Sequence, residues 1–178
     1  MNQDDHLLIK KILAGDKSAS KILYEQNEPY WFRLCLRYGR NRSEAQDIFQ
    51  EGVVKVFQVL DKFDIKRGTF GGWSNRVIVN EALKYLKRHQ WQESFEDLSL
   101  TAATMPWPES IIEKITAREL IELVQKLPLG YRVVFNMYEI EGYSHREIAE
   151  TLGISVGTSK SQLYKAKRTL QAQLKLLL

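Results

Sequence analysis

The chain has little of what small extracellular or metal-binding proteins depend on. A single cysteine, Cys35, stands in 178 residues. That excludes a disulfide framework and a cysteine-based zinc site within one chain. The three histidines, His6, His89 and His145, lie far apart, with no metal-ligand spacing between them. No apolar run approaches the ~18 residues of a membrane span. The first residues carry Asp4 and Asp5 and lack the layout of a signal peptide. A reducing, cytoplasmic compartment is the expectation that follows. No nucleophile–base pair, acidic metal cluster or glycine-rich phosphate loop is visible, so the reading is a chain without catalysis or cofactor.

What is present is an ordinary soluble composition, 44% hydrophobic and 27% charged, long enough for one domain or two small ones. The charge is arranged in blocks. Residues 1–88 hold 16 Lys/Arg against 11 Asp/Glu. Residues 89–112 hold no Lys/Arg and four acids, Glu93, Glu96, Asp97 and Glu109. Residues 113–178 hold 10 Lys/Arg against seven acids, and Ile154 to Leu178 carry five positive charges and no acid. Basic clusters of this kind suit a polyanion, although a solvated helix surface has the same composition.

Residues 91–110 contain Pro106 and Pro108, several Ser/Thr and no sustained period. They read as a flexible acidic linker. The rest reads as helix, so the fold class is all-α, with two small helical domains, 1–90 and 111–178. Ser43 with Gln46, Ser110 with Glu113 and Ser144 with Glu147 have the spacing of capping boxes. Pro128 is expected to end a helix running from about Ser110 to Leu127.

The stretch YSHREIAETLGISVGTSKSQLYKAKR, residues 143–168, has a helix-turn-helix pattern. Ile148, Ala149 and Leu152 share one face of the first helix. Gly153 suits a left-handed turn residue, and Ser155 caps the second helix. At 100° per residue, Leu163, Ala166, Leu170 and Leu174 face a core. Lys160, Ser161, Tyr164, Lys165, Lys167 and Arg168 are read as the outward residues, with ammonium groups for phosphates and hydroxyls for base edges.

In FGGWSNRVIVNEALKYLKR, residues 70–88, the apolar arc is Ile78, Val79, Ala82, Leu83 and Leu86. The opposite arc carries Arg76, Asn80, Lys84, Lys87 and Arg88, a mixture suited to unpaired bases and their backbone. Phe70 and Trp73 read as core residues rather than stacking platforms. Upstream, Ile48, Phe49, Val53, Val56, Phe57 and Leu60 form a core stripe. Asp47, Gln50, Glu51, Val54 and Gln58 lie on the other side, a face fit either for a protein partner or for solvent. Gly52, in mid-helix, is expected to cost ~1 kcal/mol relative to alanine.

In this order the pieces resemble the extracytoplasmic-function (ECF) sigma factors of bacterial RNA polymerase. DIFQEGVVKVFQVLDKF is similar to region 2.2, FGGWSNRVIVNEALKYLKR to regions 2.3 and 2.4, and residues 127–170 to region 4. The resemblance implies a factor that binds core RNA polymerase and directs promoter recognition. It makes Asp47, Gln50, Glu51, Val54 and Gln58 polymerase-contact candidates. Lys66, Arg67, Arg76, Asn80, Lys84, Lys87 and Arg88 become candidates for the minus-ten element. Residues 64–69, DIKRGT, sit where the family captures a flipped-out base. Ser159, Lys160, Ser161, Tyr164, Lys165 and Arg168 become candidates for the minus-thirty-five element. Promoter DNA, duplex and melted, and an anti-sigma factor are the further partners implied. The chain departs from the family pattern at Gly52-Val53, Ser159 and Gln162. A stand-alone helix-turn-helix regulator that binds duplex DNA without polymerase is the alternative.

Overall fold

The structure is a computed structural model that describes residues 3–90 and 116–175. The described residues are helical, with no strand among them. Their contacts divide the chain into two compact units, Met1–Arg88 and His89–Leu178. The acidic segment 91–110 and the expected cap at Ser110 lie outside the described residues.

Unit 1 contains α1 (Gln3–Leu13), α2 (Lys17–Tyr38), α3 (Arg42–Gln58) and α4 (Phe70–Gln90), with two single 3₁₀ turns, Leu60–Lys62 and Ile65–Arg67, between α3 and α4. Asp16 caps α2 by accepting from the amides of Ser18 and Ala19. The cap of α3 is Asn41, whose Oδ1 accepts from the Glu44 amide at 2.9 Å. Ser43 therefore lies inside the helix and does not begin it. Asn41 wins because the Glu44 carboxylate turns back to the Arg40 amide and guanidinium at 2.9 and 2.8 Å, closing the turn around an earlier residue.

Trp31, Leu34 and Tyr38 of α2, Ala45, Ile48 and Val56 of α3, and Ile78, Val79 and Leu86 of α4 make the core. Burying such side chains contributes about 1.5–3 kcal/mol each relative to exposure. The indole of Trp31 donates to Ser74 Oγ at 3.1 Å, so its one polar atom is satisfied inside. Cys35 is fully buried, and burial pushes its thiol up to about 12, far from a reactive thiolate.

Gly52 lies where α3 packs against Ile78 of α4. A Cβ there would meet the Ile78 side chain at 3.2 and 3.3 Å. The conformational cost of a mid-helix glycine is thus set against close helix packing. Gly52→Ala is expected to change stability by less than about 1 kcal/mol, because its propensity gain opposes a tightened contact. Gly52→Leu must push the helices apart and is expected to cost about 2–3 kcal/mol. Thermal melts of the two variants check the difference.

Unit 2 contains α5 (Ala117–Gln125), α6 (Leu129–Phe135), a π-helical turn Asn136–Ile140, α7 (His145–Leu152) and α8 (Val156–Lys175). Thr116 with Glu119 and Ser144 with Glu147 form complete capping boxes. Pro128 sits at the N-cap of α6, just beyond the end of α5. Gly153 closes α7 at φ 71°, ψ 35°, a left-handed geometry that glycine adopts without steric cost. Ser155 Oγ accepts from the Thr158 amide at 2.9 Å and starts α8. The helix-turn-helix is therefore α7–Gly153–α8.

The long helix α8 packs against α5, α6 and α7. Arg132 of α6 is 2% exposed, and its Nη1 donates to the carbonyls of Gln125 and Leu127 at 3.0 and 3.3 Å. It closes the C-terminal end of α5, whose last carbonyls would otherwise lack helical donors.

Candidate nucleic-acid interface

Three exposed faces emerge from this packing, two on unit 1 and one on unit 2. The first is the outer side of α3. Asp47, Gln50, Val54 and Gln58 are exposed and Glu51 is half-exposed, in one row along the helix. Val54 is 56% exposed, an apolar side chain set among carboxylates and amides. Both carboxylates are held from α4. Tyr85 Oη donates to Asp47 Oδ2 at 3.2 Å, and Arg88 Nη2 donates to Glu51 Oε1 and Oε2 at 2.7 and 2.5 Å. Tyr85 keeps its phenolic proton more firmly than usual, through desolvation and then the Asp47 bond.

The second face is a concavity between the α3–α4 loop and the first turns of α4. Its volume is about 440 Å³. Phe63 and Trp73 form its aromatic wall, with ring centroids 5.5 Å apart and planes inclined by 56°. Lys62, Arg67 and Arg76 bring positive charge to the rim, and Asp64 adds one carboxylate. Asp64 is partly committed: its Oδ1 accepts from the Lys66 amide at 2.9 Å, and its Oδ2 lies 3.7 Å from Arg67 Nε. Phe70 is a core residue as expected, 3% exposed, packed edge-on against Trp31 and Phe63. Trp73 departs from the expectation. It is half-buried and lines the concavity, packed on one side against Phe63 and Phe70.

Arg76, Asn80, Lys84, Lys87 and Arg88 all lie exposed on the outer side of α4, and Lys66 and Arg67 are exposed on the loop. They are not equivalent. Arg76 and Asn80 have no side-chain partner among the described residues, and Arg76 reaches the concavity. Lys84 is paired with Glu81 at 2.7 Å. Arg88 is spent on Glu51, at the far end of the helix from the concavity. A surface ion pair of this kind is worth only ~0.2–1 kcal/mol, so these pairs yield to a stronger anion.

The third face belongs to α8. Lys160 and Arg168 are exposed, Tyr164 and Lys165 are half-exposed, and the Arg168 guanidinium lies over the Tyr164 ring at 5.9 Å. Lys167 is drawn aside to Glu139 at 2.6 Å. Two sequence-based candidates are corrected here. Ser159 is 0% and Ser161 2% exposed. Ser159 Oγ lies 2.9 Å from His145 Nδ1, and Ser161 Oγ donates to the Thr158 carbonyl at 3.0 Å. Both hydroxyls are consumed inside the unit, and neither is available to a base edge. Gln162 is likewise buried. Helix α8 meets three helices rather than one, so its buried arc is wider than the leucine stripe suggests. His145 is the residue that motif reading passed over. Its signal was present only in its place, directly after the capping serine of the helix-turn-helix.

Among the described residues no group of His, Cys, Asp and Glu could hold a metal ion, and no helix is long and apolar enough to cross a membrane.

The comparisons with known proteins agree with this layout. The Sigma-70 region 2 family matches residues 23–92, and the Sigma-70 region 4 family matches residues 117–170. The ECF RNA polymerase sigma factor SigE of Mycolicibacterium smegmatis is 30% identical over 89% of this chain, which spans 63% of that relative's length. The ECF RNA polymerase sigma factor SigW of Bacillus subtilis is 28% identical, covering 94% of this chain and 95% of its own. The RNA polymerase sigma-H factor of Pseudomonas aeruginosa is 26% identical over 99% of this chain and 96% of its own. A solved structure of CnrH in complex with the cytosolic domain of CnrY has the same fold, with a TM-score of 0.53 at 22% identity, covering 98% of this chain and 99% of that one. Two Sigma-70 regions matched in order on two helical units, with ECF factors among the similar relatives, establish that the chain belongs to the ECF sigma-factor family.

Proposed function

We propose that the chain carries out the work of a sigma factor, binding core RNA polymerase and directing promoter recognition and transcription initiation, through these three faces. The α3 row of Asp47, Gln50, Glu51, Val54 and Gln58 meets core polymerase. Lys66, Arg67, Arg76, Asn80, Lys84 and Lys87 receive the minus-ten element. Arg88, tied to Glu51, stands at the border between the two faces of unit 1. Lys160, Tyr164, Lys165 and Arg168 read the minus-thirty-five element, with Ser159 and Ser161 holding the helix rather than touching DNA.

The observation that carries this reading is the separation of two chemistries on unit 1: an acidic and amide row on α3, and a cationic, aromatic concavity beside α4. A protein face and a single-strand face are both needed by a factor that opens promoters on an enzyme. Neither is needed by a regulator that binds duplex DNA alone. The concavity is suited to an unstacked base, with Phe63 and Trp73 as its platform and Arg67 and Arg76 beside the backbone. Its volume lies within the ~300–1,000 Å³ of small-molecule sites.

Each DNA contact alone is weak. Carrying both units in one chain on one polymerase turns the second contact into an intramolecular one, which raises its effective concentration. Bond formation between nucleotides belongs to the polymerase, and this chain contributes no catalytic group. It works where the polymerase works, in the cytoplasm. An anti-sigma factor is the restraining partner expected for this family.

The test is co-elution with bacterial core polymerase, together with gel shifts of promoter fragments by the chain alone and by the assembled holoenzyme. Co-elution, and shifts that need core, support the reading. Strong specific shifts without core, and no co-elution, would favour the stand-alone regulator.

A further inference from the structure

His145 occupies a singular position in unit 2. It is the first residue of α7, and its ring joins three elements. One face stacks on Tyr138 of the π-helical turn, with centroids 4.3 Å apart and planes 21° from parallel. Its Nδ1 meets the buried Ser159 Oγ of α8 at 2.9 Å. The π turn makes the first contact possible: its wider register closes with the Glu141 amide on the Asn136 carbonyl at 3.0 Å and leaves Tyr138 37% exposed. The imidazole is thus fixed in place and in ring orientation.

The second ring nitrogen is not used. Nε2 has no hydrogen-bond partner among the described residues, and it is not sealed from solvent. The charged groups facing the ring are Lys160 and Lys167 of α8 and Glu139 of the π turn. On its own element, Arg146 is paired with Glu150, and Glu147 is spent on the Ser144 cap. Glu139 is in turn neutralised by Lys167 at 2.6 Å. A positioned ring nitrogen, an N–H donor whenever the imidazole is protonated, next to Lys160 on the edge of the α8 face, is a place for an anion.

We propose that His145 is a positioning and phosphate-contact residue of the minus-thirty-five interface, seating α8 through Ser159 while its Nε2–H donates to the DNA backbone. The inference rests on the promoter reading. It implies that proton uptake accompanies DNA binding. In the free protein, burial and then the nearby lysines hold the imidazole below its usual range, so it is neutral near pH 7. A phosphate at Nε2 favours the imidazolium and raises the pKa in the complex. The proton is therefore bound more tightly with DNA present, and affinity rises as pH falls through the interval between the two values.

The experiment uses the full chain and a duplex carrying the minus-thirty-five element, mapped from transcripts made by its own holoenzyme. Imidazole proton NMR, with His145→Gln to assign the signal, reads the titration with and without duplex. Fluorescence anisotropy reads affinity from pH 7.5 to pH 5.5. The expected result is an upward shift of the His145 titration on binding, and an affinity gain over that range about threefold or more larger for the wild type than for His145→Gln. Ser159→Ala tests the seat: it should weaken binding while leaving most of the pH dependence. Duplex that binds with an unmoved His145 titration, and identical pH profiles for wild type and His145→Gln, would overturn the inference alone. Duplex that does not bind at all, even within the holoenzyme, would overturn the promoter reading and the inference with it.

Discussion

Asp47→Arg combined with Glu51→Arg is expected to lower affinity for core polymerase by about 100-fold or more, the largest functional loss available from two surface residues. Both side chains lie on the outer row of α3 with Val54 beside them, and nothing in the core depends on them. Reversal inverts two charges on the face proposed to meet core polymerase, and like charges brought together at an interface repel. Such changes cost several kcal/mol, and each ~1.4 kcal/mol is tenfold in affinity. The fold should survive. Within the unit, the reversal breaks only the exposed pairs of Asp47 with Tyr85 and Glu51 with Arg88, worth together no more than ~2 kcal/mol. Asp47→Asn with Glu51→Gln should fall between the reversed pair and the wild type. Surface-bound core polymerase titrated with each variant makes the measurement. Affinity within about threefold of wild type for the reversed pair, an energy change of under ~1 kcal/mol, would remove polymerase from the α3 face.

Trp73→Ala is expected to slow promoter opening by about 10- to 100-fold while leaving assembly with core unchanged. The indole is half of the aromatic wall of the α4 concavity, and stacking of one base on an aromatic ring is worth ~1–3 kcal/mol. Truncation also removes ring packing against Phe63 and Phe70, so a loss could be read as local unfolding. Trp73→Phe separates the two causes. It keeps an aromatic platform and should retain most of the opening activity, whereas a variant that only repaired packing would not depend on aromaticity. Permanganate reactivity of the melted strand reads opening, and a melt of each variant reads folding. Equal opening by wild type, Trp73→Ala and Trp73→Phe would exclude base capture at this wall.

Much of this architecture was legible in residue order. The apolar arc of α4 is buried throughout, whereas in the α3 stripe Ile48, Val56 and Leu60 are buried and Phe49, Val53 and Phe57 are half-buried. The helix-turn-helix was equally plain, because a capping box, a left-handed glycine and a serine cap are local devices whose geometry is set by neighbours in sequence. What escaped reading is what depends on distant neighbours. Ser159 and Ser161 look like donors on an open face until α5, α6 and α7 are seen to enclose α8. Arg132, which no motif singles out, is a buried clasp on the end of α5. Arg88 reads as a DNA contact, and the fold sets it against Glu51, 37 residues away. Gly52 was a helix-propensity cost until Ile78 showed why no larger residue fits easily. His145 carried no motif and took its meaning from Tyr138 and Ser159.

The same contrast governs the three faces. Charge and aromatic content place them on their helices, but the pairing of individual groups decides which are free. On α4 Arg76 reaches the concavity without a side-chain partner among the described residues, while Arg88 is paired with Glu51 of α3. On α8, Lys160 stays open and Lys167 is held by Glu139. Arg76→Ala and Lys160→Ala are therefore the single substitutions expected to separate the proposed minus-ten face from the proposed minus-thirty-five face.

The central claim is that this chain confers promoter selection on an enzyme that lacks it. Run-off transcription with purified bacterial core polymerase, this protein and a pool of promoter fragments from its own genome tests that claim most directly. The expected result is a set of discrete transcripts that need both core and this chain, disappear with Asp47→Arg and Glu51→Arg, and share two sequence elements upstream of their starts. Transcripts no different from those of core alone, from a chain that is folded and binds duplex DNA by itself, would contradict it.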